Sequence, residues 1–485
     1  MPAVARTQTA PGNTIGVISL SQSGALVAGV SGSFTYPPAL SADGNVVAFE
    51  SLASGLLPDD TNGVSDIFLW TRDNGQLARI NVDSADPQAN GLSISPAISA
   101  DGRFVAFQSF AGGLAGDEND APDILLYERD TGALSRVSRA GGSAGNGASS
   151  RPSISADGRF VAFCSAATDL VPDDTNNAPD AFRLDRQTGE MTRVSVDGGG
   201  RQSGGGCTRT AISGDGRFVV FQSGAADLVD GDTNSQPDVF RKDTQSGQVA
   251  RASVEAGGGQ ANGGSGARGV SISEDGRVVA FDSAASNLVP GDSNGAADVF
   301  VRDIDGATTQ RVSVGAEGAE GAGDSGVGGL ALAGGGRYVA FASSAANLVA
   351  GDTNGATDIF LHDMESGRTS IVTVTPAGKP ADEASYGPAI DRDGGVIAFS
   401  SLAANMIFGD RNYQPDVYVS SGEVTTTSVA AGPATPGTGN GGATLPVPEH
   451  GNGPLLPTGA WAALGAAAAL AVYVGMRLRR RPQER

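Results

Sequence analysis

The chain has 485 residues, 39% of them hydrophobic and 18% charged, with 72 glycines and a formal net charge of −21. So acidic a surface repels nucleic acid and anionic lipid, while the apolar fraction is enough to build a core and excludes wholesale disorder. Two cysteines, Cys164 and Cys207, and two histidines, His362 and His450, cannot by themselves supply a disulfide framework, a zinc site or a His-rich metal centre.

Residues 1–35 form an N-terminal segment. Its first 19 residues carry Arg6 but no sustained apolar run, so they do not make a signal peptide, and an export signal is expected upstream of Met1. From residue 36 one unit repeats seven times. Its strongest mark is a short turn: SADG at 41–44, 99–102 and 155–158, SGDG at 213–216, SEDG at 273–276, AGGG at 333–336 and DRDG at 391–394. Each turn leads into a short apolar run, VVAF from Val46, FVAF from Phe104 and Phe160, FVVF from Phe218, VVAF from Val278, YVAF from Tyr338 and VIAF from Val396. Successive side chains on a strand point to opposite faces, so such runs are buried on both sides. A second strand begins at Asp66, Asp123, Asp180, Asp238, Asp298, Asp358 and Asp416, and a tight turn such as DNG or DTG leads to an outer strand such as RVSV from Arg193 and Arg311.

Four strands per unit, seven units and no helical period between them predict an all-β fold: a seven-bladed β-propeller of four-stranded antiparallel blades over 36–429. An end-to-end solenoid is the rival, and tight four-strand meanders fit radial blades better. Two segments compete to close the ring as the last blade's outer strand, 14–20 (TIGVISL) and 423–429 (EVTTTSV).

The cycle of SxDGrxVAFxS, D-[IV]-F-x-x-D and TxRVSV resembles the TolB-type, WD-repeat-like propeller over 36–429. The resemblance implies the fold, and a class made up mostly of binding platforms. It does not extend to the separate N-terminal domain of TolB, and the loops between second and third strands are longer here.

Those loops hold a second seven-fold pattern, Asp-x-Asn-x-x-x-Asp. The copies are Asp60, Asn62 and Asp66; Asp117, Asn119 and Asp123; Asp174, Asn176 and Asp180; Asp232, Asn234 and Asp238; Asp292, Asn294 and Asp298; Asp352, Asn354 and Asp358; and Asp410, Asn412 and Asp416. Acidic residues at alternate positions suit Ca²⁺, which takes six to eight oxygens. The third alternate ligand is missing, with Gly63, Asn177, Ser235 and Tyr413 at that place, so the match covers half a calcium loop. The competing expectation is turn capping by Asp and Asn side chains. Ca²⁺ is the one cofactor the pattern suggests.

In an antiparallel meander these loops share one face with the connections between blades, including the Gly-rich 196–207 and 255–268. That face is expected to carry an acidic ring and the binding site for a protein, glycan or cation. Cys164 and Cys207 both fall near it, which leaves open a disulfide or two independent thiols.

No GxSxG elbow with a downstream His, Walker loop or dinucleotide fingerprint occurs, so no enzyme is expected. A hydrolase or lyase of polysaccharide or peptide using paired carboxylates is the alternative, and a structural envelope component a third. Residues 430–454 form a Pro/Gly/Thr linker, 455–476 an apolar span long enough to cross a bilayer as a helix, and 477–485 a tail with Arg477, Arg479, Arg480 and Arg481. Arginines stay cytoplasmic, which places the propeller outside the membrane. Linker, span and arginines, with LPTG at 456–459, also resemble a bacterial C-terminal sorting signal. The whole predicts a non-enzymatic cell-envelope binding or scaffold protein tethered to the membrane.

Overall fold

The structure is a computed structural model and describes residues 6–10, 13–33, 35–82, 88–116, 119 and 121–422. Seven sheets surround a central axis. In each of blades 1 to 6 four strands, a to d from the inside outwards, follow one another in antiparallel order. In blade 4 they are Cys207–Ile212, Phe218–Ser223, Asp238–Asp243 and Val249–Arg251.

Strand b shows why the sequence folds this way. In Val46–Ser51 of blade 1 every residue is buried, because a blade is covered by a neighbour on each side. Strand b pairs with strand c so that aromatic rings stack at the blade centre. Phe49 lies 5.8 Å from Phe68, Phe221 5.8 Å from Phe240 and Phe341 5.9 Å from Phe360. The apolar clusters lie between blades: Ala162, Cys164 and Ala181 of blade 3 pack with Phe221 and Phe240 of blade 4.

The a–b turns do two jobs. Within the turn, Ser41 Oγ donates to Asp43 Oδ1 at 2.6 Å, and Asp43 accepts the amide of Asn45 at 3.0 Å. Gly158 has φ +71°, and an added Cβ would lie 2.2 Å from the Phe104 ring of the preceding blade, so only glycine serves there. Between turns, backbone hydrogen bonds run right around the axis: Ala42 to Ala100, Ala100 to Ala156, Ala156 to Gly214, Gly214 to Glu274 and Glu274 to Gly334 at 2.9–3.0 Å, then Gly335 to Arg392 at 3.4 Å and Arg392 back to Ala42 at 3.1 Å. The repeated turn thus forms a closed belt on one face.

The ring closes with the N-terminal candidate. Strand Asn13–Val17 pairs antiparallel with Asp416–Ser421 and becomes the fourth strand of blade 7, with Arg6–Ala10 outside it as a fifth. The rival segment 423–429 lies outside the described residues. So do the linker 430–454, the expected span 455–476 and the basic tail 477–485. Among the described residues no helix is long and apolar enough to cross a membrane.

Candidate functional site

The face opposite the belt carries the b–c loops and the blade-to-blade connections. Among the described residues, the Asp-x-Asn-x-x-x-Asp triplets are gathered there into latches built around the buried third Asp. In blade 4, Asp238 is fully buried. Ser253 Oγ donates to its Oδ1 and accepts the Val239 amide at 3.1 Å. Asn234 Nδ2 donates to Asp238 Oδ2 at 3.3 Å and to the Ala261 carbonyl at 2.9 Å, tying the loop to the connection leading to blade 5. Its Oδ1 accepts the Gln236 amide at 2.9 Å. Arg251 Nη1 lies 3.3 Å from both Asp232 and Asp238.

The latch recurs with substitutions. In blade 1, Asn81 takes the serine's place on Asp66 at 2.6 Å, and Arg79 spans Asp60 and Asp66 at 3.1 and 3.2 Å. In blade 2, Ser138 donates to Asp123 at 2.5 Å and Arg136 reaches it at 3.5 Å, while Asn119 bonds the Gly145 carbonyl; Asp117 lies outside the described residues. In blade 3, Ser195 and Asn176 hold Asp180, and Arg193 sits 3.5 Å from Asp174. In blade 5, Asn294 and Ser313 hold Asp298, and Arg311 contacts Asp292, Asp298 and Glu320 at 3.4, 3.3 and 2.6 Å. In blade 7, Asn412 and Ser19 hold Asp416, and the Tyr418 hydroxyl donates to Asp410 at 2.7 Å. In blade 6, Asn354 and Thr373 hold Asp358, and among the described residues no arginine makes an ion pair with Asp352 or Asp358.

In the acidic ring expected on this face, the third Asp of each copy points inward. The third Asp of every triplet is buried, because its oxygens cap the start of strand c and bind the end of strand d. Burial pushes the carboxyls of Asp66 and Asp416 up to about 6, and of Asp358 up to about 7. The Arg that ends strand d and the Ser two residues beyond it were legible only as an outer strand in the repeated RVSV. Their i, i+2 spacing puts both on one side of the strand, the signal that would have found them.

Cys164 and Cys207 form a disulfide between the end of strand b of blade 3 and the start of strand a of blade 4, with Cα atoms 5.6 Å apart. This settles the open choice between a bridge and two thiols.

The same face holds a second constellation, at the channel mouth where strand a begins. Arg151, Arg209 and Arg268 stand on the a strands of blades 3, 4 and 5. A bulge between Ser150 and Ser153 places Arg151 at φ +56°, an orientation that non-glycine residues take mainly where surroundings impose it. Its guanidinium lies 4.6 Å from the Tyr36 ring centre and 3.3 Å from the Thr35 carbonyl. The segment carrying Thr35 and Tyr36 reaches across the mouth: at Gly387 of blade 7, φ +62°, an added Cβ would lie 3.1 Å from Pro37.

Arg209 donates through Nε to the Ala267 carbonyl at 3.0 Å, and Nη1 of Arg268 is buried without a hydrogen-bond partner. None of the three arginines makes an ion pair among the described residues. Burial, followed by repulsion from Arg151, brings Arg209 down to about 10. Two buried acids flank the group. Asp282 accepts the amides of Arg268 and Gly269 at 2.9 and 2.8 Å, and Glu50, beside Ser95 and Arg151, is raised by burial to about 7. The mouth can thus hold an oxyanion among unpaired guanidiniums.

No family model matches the chain, and no curated protein matches it. Solved structures do. TolB from Acinetobacter baumannii is 17% identical with a TM-score of 0.39, over 68% of this chain and 63% of that one. The chain therefore spans less than two thirds of that TolB. Oligogalacturonate lyase from Vibrio parahaemolyticus is 12% identical with a TM-score of 0.50, over 87% of this chain and 97% of that one. The propeller domain of the Trilobed protease from Pyrococcus furiosus is 11% identical with a TM-score of 0.49, over 81% of this chain and 95% of that one. At 12% identity the likeness to the lyase shows the fold alone, a β-propeller.

Proposed function

We propose that this chain is a non-enzymatic cell-envelope binding propeller that takes a carboxylate-bearing glycan or protein at the mouth of its channel. One observation carries the reading: Arg151, Arg209 and Arg268 converge beside Glu50 and Asp282 yet form no ion pair among the described residues, in a protein with a net charge of −21. Guanidinium forks match carboxylates, and half-buried guanidiniums that make no ion pair are free to take one from a ligand. The disulfide fits an oxidising compartment, and the apolar residues 455–476 serve as the tether in this reading.

The test is retention on arrays of acidic and neutral glycans and peptides. Preference for the acidic members, lost in an Arg151→Gln/Arg209→Gln variant, is expected. Equal retention of both classes, or an unchanged profile in the variant, refutes it.

One observation favours a second reading, a carboxylate-dependent lyase or hydrolase. Glu50 is buried beside Arg151 and titrates near neutrality, as a general acid or base requires. A solved propeller bears the name oligogalacturonate lyase. Incubation with polygalacturonate and ultraviolet detection of unsaturated product, with Glu50→Gln as control, decides between the two readings.

A further inference from the structure

Comparison of the seven latches singles out blade 6. In blades 1, 3, 4 and 5 an arginine from the end of strand d reaches into the space between the first and third Asp. Blade 7 lacks the arginine and instead turns the Tyr418 hydroxyl onto Asp410. Blade 6 has neither. Ile371 stands at the register position of Arg311 and Arg251, opposite Phe360 as they stand opposite Phe300 and Phe240. Phe360 also replaces Tyr418. Pro380 occupies the place of Glu320 and Gln260, as the equivalent isolated bridges show.

The result, among the described residues, is a pair of acids that makes no ion pair. Asp352 is 7% exposed, and its Oδ1 is buried without a hydrogen-bond partner. Asp358 is fully buried, and its carboxylate is already oriented by Thr373 at 2.5 Å and Asn354 at 2.6 Å. In the equivalent pairs of blades 1, 4 and 5 a single guanidinium nitrogen reaches both acids at 3.1–3.4 Å, which sets the size of the space between them. Two buried carboxylates side by side need a proton or a positive charge, and in blades 1, 3, 4 and 5 an arginine of the chain supplies the charge.

We propose that blade 6 binds one divalent cation, Ca²⁺ by its all-oxygen ligand set, where the arginine guanidinium sits in the other latches, with Asp352 and Asp358 as its protein carboxylates. This narrows the half calcium loop present in every blade to a single place. It rests on residues separate from the channel mouth, so either proposal can fail without the other.

The test uses the full chain stripped with chelator, at pH 8, titrated with CaCl₂ by calorimetry and followed by thermal melting. One Ca²⁺ per chain is expected, with a rise in Tm of about 3–5 °C at a hundredfold excess over Kd. Ile371→Arg restores the missing guanidinium. It should abolish the Ca²⁺ response while melting above the wild type in chelator. Asp352→Asn, which adds no bulk, should also abolish the response. No heat and no shift in the wild type, a response retained in both variants, or a stoichiometry near seven would overturn the proposal.

Discussion

Ser19 Oγ donates a 2.6 Å hydrogen bond to Asp416 across 397 residues of chain. The same oxygen accepts the Val417 amide at 3.1 Å, so one N-terminal hydroxyl performs in blade 7 what Ser253 performs within blade 4. Ring closure therefore copies the latch of a single blade, with its two halves drawn from opposite ends of the propeller.

Ser19→Ala should remove both bonds and leave a buried carboxylate short of a donor, costing about 1–3 kcal/mol. Ser138→Ala makes the same change in an internal latch with no ends to hold together. Chemical denaturation should show similar losses for the two variants. Limited proteolysis should release the N-terminal strand in Ser19→Ala alone.

Arg251→Met keeps the side chain's length and removes its charge between Asp232 and Asp238. Breaking a buried pair by deleting one partner costs about 3–5 kcal/mol, so this variant should lower stability sharply. Asp232→Asn combined with Arg251→Met should recover much of the loss. A double-mutant cycle by urea unfolding measures the coupling.

Stability should fall as pH rises from about 4 to about 7. Asp66, Asp358 and Asp416 have raised values in the folded chain. Across that window the native state keeps protons that the unfolded chain has already released, so each step upward favours unfolding. The arginine-paired Asp185, Asp243 and Asp363 have lowered values, and their contribution disappears towards strong acid. Melts between pH 4 and 8 should show the decline, and Asp358→Asn should shallow it.

The Cys164–Cys207 bridge closes 43 residues and joins blades 3 and 4. A cross-link of that span stabilises by about 4 kcal/mol in the chain-entropy model. Replacing both cysteines by serine should lower the urea midpoint accordingly, and reductant should then have no further effect.

The blades were legible because SxDG turns and buried b strands repeat with little variation. Closure was not, because 14–20 and 423–429 carry equally good strand patterns, and pairing with Asp416–Ser421 is a long-range matter. The triplets were found at every copy, yet their burial depends on Arg and Ser from strand d, partners that loop spacing alone does not reveal. The channel mouth was missed for another reason. Arg151 and Arg209 are the third residues of strand a in blades 3 and 4, where blade 2 has Ser95 and blade 7 has Gly387. Departure from the repeat, on a scaffold that otherwise copies itself, is the signal that marks them.

The most direct measurement is calorimetric titration of the full chain with a carboxylate-bearing oligosaccharide and with its uncharged methyl ester. The account predicts heat for the acid alone. Arg209→Gln should weaken binding about 10- to 100-fold, and Arg337→Gln, on the belt face, should leave it unchanged. Equal binding of acid and ester, or undiminished binding in Arg209→Gln, would contradict a carboxylate site at the mouth of the ring.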